Sequence, residues 1–316
     1  MNCFFNGTPI DASPFNRVEN ICDSLLSSLI VDNAVSAKQK YFTNGDVMEI
    51  DKTDDRNIRL LCLDGGGIRG LILIQMLSVL EEVVRLKVGD CFDWIAGTST
   101  GGILALYIAL GNSASECRKL YFRLKDKVFV GSRPYDSEPL EKFLREALGE
   151  ETKMSDIQKP KVMVTATVAD QFPADMHTFR NYTFPEDIVD ESKGKFNKRI
   201  FHKPCDQLVW MAARSSGAAP TYFRPCGSFL DGGLISNNPT LDALTEIIKY
   251  NASLDAIGKS NEKYTLRAVV SLGTGSIPVT QVPIIDIFRP DSLFGVAKMA
   301  FMASSLGQLL IDQMDK

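Results

Sequence analysis

Histidine is almost missing from this chain: only His177 and His202 occur in 316 residues. A Ser-His-Asp site would have to draw its base from these two. Long apolar runs are missing as well, and no stretch reaches the length that spans a bilayer. The first residues lack the charged start and extended apolar centre of a secretory signal. The seven cysteines (Cys3, Cys22, Cys62, Cys91, Cys117, Cys205 and Cys226) are odd in number and widely spaced, with no C-x-x-C pair. That pattern argues against a disulfide framework or a zinc site, and for the reduced thiols of a cytoplasmic protein. Basic stripes are also missing. Lys and Arg number 35 against 39 Asp and Glu, a formal net charge of −4 that speaks against a nucleic-acid partner. A membrane surface stays open as a partner, since an interfacial protein can bind by apolar contact.

What is present reads as a globular α/β chain. Apolar residues make up 45% and charged residues 23%, ordinary values for a soluble core, and the length fits one large domain or two modest ones. Residues 1–57 carry no clear pattern and read as a leader or linker, with a short helix expected over Ser24–Val35. From residue 58 the order becomes strand and helix in alternation. Strands are expected at Ile58–Leu63, Phe92–Ala96, Lys161–Ala169 and Leu266–Leu272, with His177–Tyr182 pairing beside the third. Helices are expected at Leu71–Leu86, Ile103–Leu110, Gln207–Ser215 and Thr240–Tyr250. Such alternation implies a mostly parallel sheet with helices on both faces. Ligands in such folds bind at the carboxyl ends of the strands, where the glycine-rich turns of this chain fall.

Three of those turns carry chemistry. Gly97-Thr98-Ser99-Thr100-Gly101 is a G-x-S-x-G pentapeptide between a strand and a helix, the setting of a nucleophile elbow. Its glycines permit the tight turn, and the helix N-terminus favours an anion beside Ser99. A serine of this kind needs a base and an oxyanion hole. Asp64-Gly65-Gly66-Gly67-Ile68-Arg69-Gly70 also joins a strand to a helix, so its amides can converge on an anion. A plain turn and a phosphate loop are the alternatives. No Gly-Lys-Ser/Thr follows, and Glu81 and Glu82 fall inside the next helix, so an oxyanion hole fits best. Arg69 has two readings of equal weight: a side chain that holds the loop or meets phosphate, and a surface charge at a helix start.

The base is found by elimination. Both histidines lie after Ser99 and before Asp231, which meets neither the Ser-Asp-His order of α/β-hydrolases nor the chymotrypsin order. His177 reads as a strand residue and His202 as a loop or surface residue. Asp231-Gly232-Gly233 closes the short apolar run Phe229-Leu230. Alone it reads as a turn aspartate. Beside the other two motifs it reads as the base, since partial burial can raise a carboxyl pKa toward the working range.

These three motifs resemble those of the patatin-like phospholipases. GSRPY at Gly131–Tyr135, SSGAAPTYFRP at Ser215–Pro225 and NNPTLD at Asn237–Asp242 resemble the group VI calcium-independent phospholipases A2, beta type. The likeness runs from about Ile58 to the end. It implies a three-layer patatin-like α/β fold over residues 58–316, cut short at its C-terminal end. It implies a Ser-Asp dyad with Ser99 as nucleophile and Asp231 as base. Gly65, Gly66, Gly67, Ile68, Arg69 and Gly70 would form the oxyanion hole. Gly97, Thr98, Thr100 and Gly101 would shape the elbow, and Gly232 and Gly233 the base turn. The implied activity releases a fatty acid and a lysophospholipid from a membrane phospholipid, without metal or other cofactor. The implied location is cytoplasmic with peripheral membrane association. A broader esterase or thioesterase, or an inactive shortened isoform acting as a regulatory or dimerising partner, are the rival readings. The ankyrin repeats that usually precede the domain are not in this sequence, and no residue pattern supports calmodulin binding. The apolar stretch Ile284–Leu310 reads first as core, then as a homodimer contact, then as a membrane contact.

Overall fold

The computed structural model describes residues 4–5, 8–9, 56–187 and 203–275. Near the N-terminus β1 (Phe4–Phe5) and β2 (Thr8–Pro9) pair as a short antiparallel ribbon. The other strands form one sheet: β3 (Asn57–Leu63), β4 (Trp94–Thr98), β5 (Lys161–Val168), β6 (Asp175–Arg180), β7 (Phe229–Asp231) and β8 (Thr265–Leu272). The order is β6-β5-β4-β3-β8, with β7 also paired to β5. The pairs β3–β4, β3–β8 and β4–β5 are parallel, whereas β6 and β7 run antiparallel to β5.

The strands are apolar on both faces because both faces are covered. β3 is buried from Ile58 to Leu63, and β4 along its whole length. Alternate side chains part to opposite sides. Leu61, Leu63, Ile95, Val162 and Val164 enter the larger core. Ile58, Leu60, Cys62, Trp94, Ala96 and Met163 enter the smaller one. The larger core is closed by α1 (Gly70–Val84), α2 (Val88–Cys91), α3 (Thr100–Ala109), α4 (Ala114–Val128), α5 (Ser137–Leu148) and α6 (Val209–Ser216). After the four-residue α7 (Gly233–Ser236), α8 (Thr240–Ala256) covers the smaller core with Ala243 and Ile247. Truncating a fully buried leucine such as Leu77 to alanine costs roughly 2–5 kcal/mol in cores of this kind.

The helix ends depart from the expected ones for local reasons. α1 stops at Val84 because Arg85 turns left-handed at φ 59 and its N–H returns to Glu81 O. The Glu81 carboxylate also caps two other helices, accepting from the N–H of Val88 and of Ala114 at 2.9 Å each. α8 runs past Tyr250 to Ala256. α4 and α5 go beyond the expected helices. α4 opens on a capping box in which Ser113 and Glu116 each bond the other's backbone N–H. The leader over residues 1–57 reaches the sheet, since Asn57 already belongs to β3. The expected helix at Ser24–Val35, His202 and the stretch Ile284–Leu310 lie outside the described residues.

Among the described residues Cys62, Cys91, Cys117, Cys205 and Cys226 are free thiols. Burial pushes the thiols of Cys62, Cys91 and Cys117 up to about 12, which leaves them protonated and inert. Among the described residues no helix is long and apolar enough to cross a membrane.

Candidate active site

Ser99 sits between β4 and α3 with φ 51 and ψ −119, a conformation that L-residues rarely adopt. Holding it costs on the order of 1–3 kcal/mol. Two features hold it. The Ser99 N–H donates to Ser216 Oγ at 2.7 Å. Gly101 lies so close to the end of β3 that a Cβ there would stand 2.2 Å from Leu63 O. A side chain at Gly101 would therefore push the elbow off the sheet.

The register of the sheet brings Asp231 to this serine. β4 pairs with β5 up to Thr98 opposite Thr165. β7 comes from the other direction along the next part of β5 and ends with Asp231 opposite Ala166. The two strands thus meet head to head at adjacent positions of β5. Ser99 Oγ donates to Asp231 Oδ2 at 2.7 Å, although 132 residues separate them in the chain. Asp231 is buried, and its Oδ1 accepts from Gly233 N–H at 2.8 Å. The Asp231 N–H donates to Ala218 O at 3.1 Å, and Thr167 Oγ1 donates to its carbonyl at 2.9 Å. The carboxylate is therefore held by its own backbone and by the turn that follows. Thr98 lies in the floor, where its Oγ1 meets Thr165 Oγ1 at 2.6 Å and Ser236 O at 2.8 Å.

The glycine loop overlies this pair, and its amides divide into two sets. Gly65 N–H donates to Asn237 O at 3.1 Å, Arg69 N–H to Gly66 O at 3.1 Å, and Gly70 N–H back to Gly67 O and Ile68 O. Of the six residues expected to form an oxyanion hole, Gly65, Arg69 and Gly70 thus have their amides committed to acceptors within the fold, which leaves Gly66, Gly67 and Ile68 as the candidates. The loop is pinned from several directions. Thr100 Oγ1 donates to Gly67 O at 2.6 Å and meets the buried Tyr121 hydroxyl at 2.7 Å. Thr274 Oγ1 donates to Gly65 O at 2.8 Å. Arg69 Nε reaches Gly66 O at 3.4 Å, which places the arginine on the loop itself.

Asp64, at the root of the loop, was not singled out among the site residues. Asn238 Nδ2 donates to its Oδ2 at 3.3 Å, while its Oδ1 is buried without a partner among the described residues. Burial pushes its carboxyl up to about 7, against the lowering bond from Asn238. His177 is a strand residue, as its sequence setting suggested: it sits in β6 opposite Ala166, with ring centroids 4.4 Å from Phe179 and 5.1 Å from Phe229. Among the described residues no group of three or more His, Cys, Asp and Glu is placed to hold a metal ion.

A cavity of about 440 Å³ opens on Ser99, Asp231 and the loop residues Gly66–Arg69. Ile103, Leu124, Phe129, Leu140 and Phe223 form its apolar wall, and Tyr135, Tyr222, Lys125 and Arg133 complete the lining. An apolar cleft with a few converging polar groups suits a ligand with a long hydrocarbon part and a single reacting polar group.

Comparison with known proteins agrees with this geometry. The family model described as patatin-like phospholipase matches residues 61–244, a span that contains all three motifs. The chain is 54% identical over 254 residues to the 85/88 kDa calcium-independent phospholipase A2 of Mus musculus, covering 80% of this chain and 32% of that protein. It is 33% identical over 307 residues to the intracellular phospholipase A2 of Caenorhabditis elegans, covering 94% of this chain and 27% of that one. The chain thus spans about a third or less of the length of these relatives. On the matched span and the identity together, it belongs to the patatin-like phospholipase family.

Proposed function

We propose that this chain is a calcium-independent lipid acyl hydrolase that cleaves a fatty-acyl ester of a glycerophospholipid. The observation that carries the reading is the Ser99 Oγ–Asp231 Oδ2 hydrogen bond of 2.7 Å at the base of an apolar cavity. The relatives' names supply the substrate class. Asp231 takes the Ser99 proton as Oγ attacks the ester carbonyl carbon. The negative charge forming on the carbonyl oxygen is met by the amides of Gly66, Gly67 and Ile68. The intermediate collapses, the lysophospholipid leaves with the proton from Asp231, and the acyl chain stays on Ser99. Water then attacks the acyl-serine and gives its proton to Asp231, and as the bond to Ser99 Oγ breaks Asp231 returns that proton to Oγ and the fatty acid departs. Because the substrate lies in a bilayer, the chain works at a membrane surface by peripheral contact.

The test is fatty-acid release from phosphatidylcholine vesicles by the purified chain in the presence of a calcium chelator. Release is expected. If Ser99 is labelled by a fluorophosphonate yet no phospholipid is cleaved, the site is assembled and the lipid assignment is wrong.

The glycine loop gives a second expectation. At Gly66 the backbone has φ 150, and a Cβ would stand 2.2 Å from Thr274 Oγ1. Gly66→Val must displace the loop against Thr274 and so disturb the amides at Gly66 and Gly67. Losing one oxyanion donor typically costs ~10²–10³ in turnover, and a loss of that order is expected in kcat, with a smaller change in lipid binding. Vesicle co-sedimentation beside steady-state rates separates the two. Wild-type turnover in Gly66→Val would reduce the loop to a connection.

A further inference from the structure

We infer that Arg133 recognises the phosphodiester of the substrate, an inference that rests on the phospholipid reading above. The cavity has two chemically different parts. Its apolar wall suits an acyl chain, whereas Arg69, Lys125 and Arg133 supply three cations to the lining against the single carboxylate of Asp231. Arg69 is turned onto the glycine loop through Gly66 O, and Lys125 lies 3.4 Å from Asp126 Oδ1. Arg133 has no carboxylate partner among the described residues. Instead its guanidinium carbon lies 3.7 Å from the centroid of the Tyr222 ring.

That contact rests the guanidinium over the ring while the residue stays exposed. A guanidinium lying on a ring uses its flat face, so the N–H groups in its plane still point outward as a fork. A phosphodiester oxygen pair accepts such a fork as charge-assisted hydrogen bonds. The segment carrying Arg133 is itself anchored. Tyr135 N–H donates to Tyr222 O at 2.7 Å, and the Tyr135 ring packs 5.4 Å from Phe129 and 5.9 Å from Phe223. Arg133 is thus an exposed cation, carried by an anchored segment, in the lining of the cleft that holds Ser99. A cleft with an excess of cationic groups in its lining favours an anionic ligand. A neutral acyl ester gains nothing from this arrangement.

The experiment compares two soluble monomeric substrates, so that membrane attraction plays no part: a short-chain phosphatidylcholine below its micellar concentration and the p-nitrophenyl ester of the same acid. For Arg133→Gln the ratio of kcat/KM, phospholipid over phosphate-free ester, is expected to fall at least about tenfold, the size of a lost charge-assisted bond. Arg133→Lys, which keeps the charge without the planar fork, should recover part of that ratio. In a second arm glycerophosphocholine should inhibit ester hydrolysis by the wild type and more weakly in Arg133→Gln. Equal weakening with inorganic phosphate would show an anion site that does not read the lipid diester, and would overturn the inference. An unchanged ratio in folded Arg133→Gln overturns it too. If the wild type cleaves the p-nitrophenyl ester but no phospholipid, the proposed function itself fails, and that outcome is distinct from the other two.

Discussion

Ser99→Ala is expected to release no fatty acid above background, a loss of about 10⁴-fold or more. The same change should abolish fluorophosphonate labelling and leave the fold intact. The reason is local. Alanine fits the volume of the elbow and keeps the backbone bond to Ser216 Oγ, which uses the N–H of residue 99 and not its side chain. Alanine also retains the strained backbone at φ 51. Glycine would not, because it reaches this region without a clashing Cβ. Ser99→Gly is therefore expected to be equally inactive but to melt above Ser99→Ala, which would identify the strain as a stability cost tied to the nucleophile. Thermal melts of the two variants, with rates on one phospholipid, check both statements. Near-wild-type turnover by folded Ser99→Ala would remove Ser99 from the chemistry.

The sheet was readable because its strands are buried on two sides and so announce themselves as apolar, β-branched runs. The strands expected at Ile58–Leu63 and Lys161–Ala169 are found as Asn57–Leu63 and Lys161–Val168, within a residue of those bounds. α4 was equally accessible in principle. Ser113 and Glu116 form a capping-box pattern, and Cys117, Leu120, Tyr121, Leu124 and Val128 follow at helical spacing. β7 was not accessible as a strand. It has three residues, and its pairing is set by β5, far away in sequence.

The site divides in the same way. Turns that demand glycine leave a mark in the sequence, so the three motifs stood out. The direction of each loop amide leaves none. Whether Gly65 faces the cavity depends on Asn237 O, and the pinning hydroxyl of Thr274 lies 209 residues from the Gly65 carbonyl it bonds. Ser216, which accepts from the Ser99 N–H, is 117 residues from Ser99 and carries no local signal beyond its place in the SSGAAP stretch. Arg133 was visible only as part of GSRPY. Its stacking on Tyr222 follows from the way two distant segments pack.

Asp231→Asn is expected to lower turnover about 10⁴-fold while His177→Ala keeps most of it. The asparagine is close in shape to the aspartate, and its side-chain oxygen can still accept from Gly233 N–H, so the turn survives. A neutral amide cannot take the Ser99 proton, and the acyl-enzyme cannot activate water by the same group. The wild-type hydrogen bond of 2.7 Å puts the Asp231 carboxylate in direct contact with the Ser99 hydroxyl, with no imidazole placed between, and on the proposed mechanism that contact carries the proton. His177 sits one strand further out, opposite Ala166 on the side away from β7, against Phe179 and Phe229. Removing its buried ring should cost stability, roughly 1–3 kcal/mol, and little rate per folded molecule. Rates divided by the fraction of protein that titrates with a fluorophosphonate separate the two effects in His177→Ala. A folded His177→Ala protein without activity, beside an active Asp231→Asn, would replace the dyad with a histidine-based mechanism.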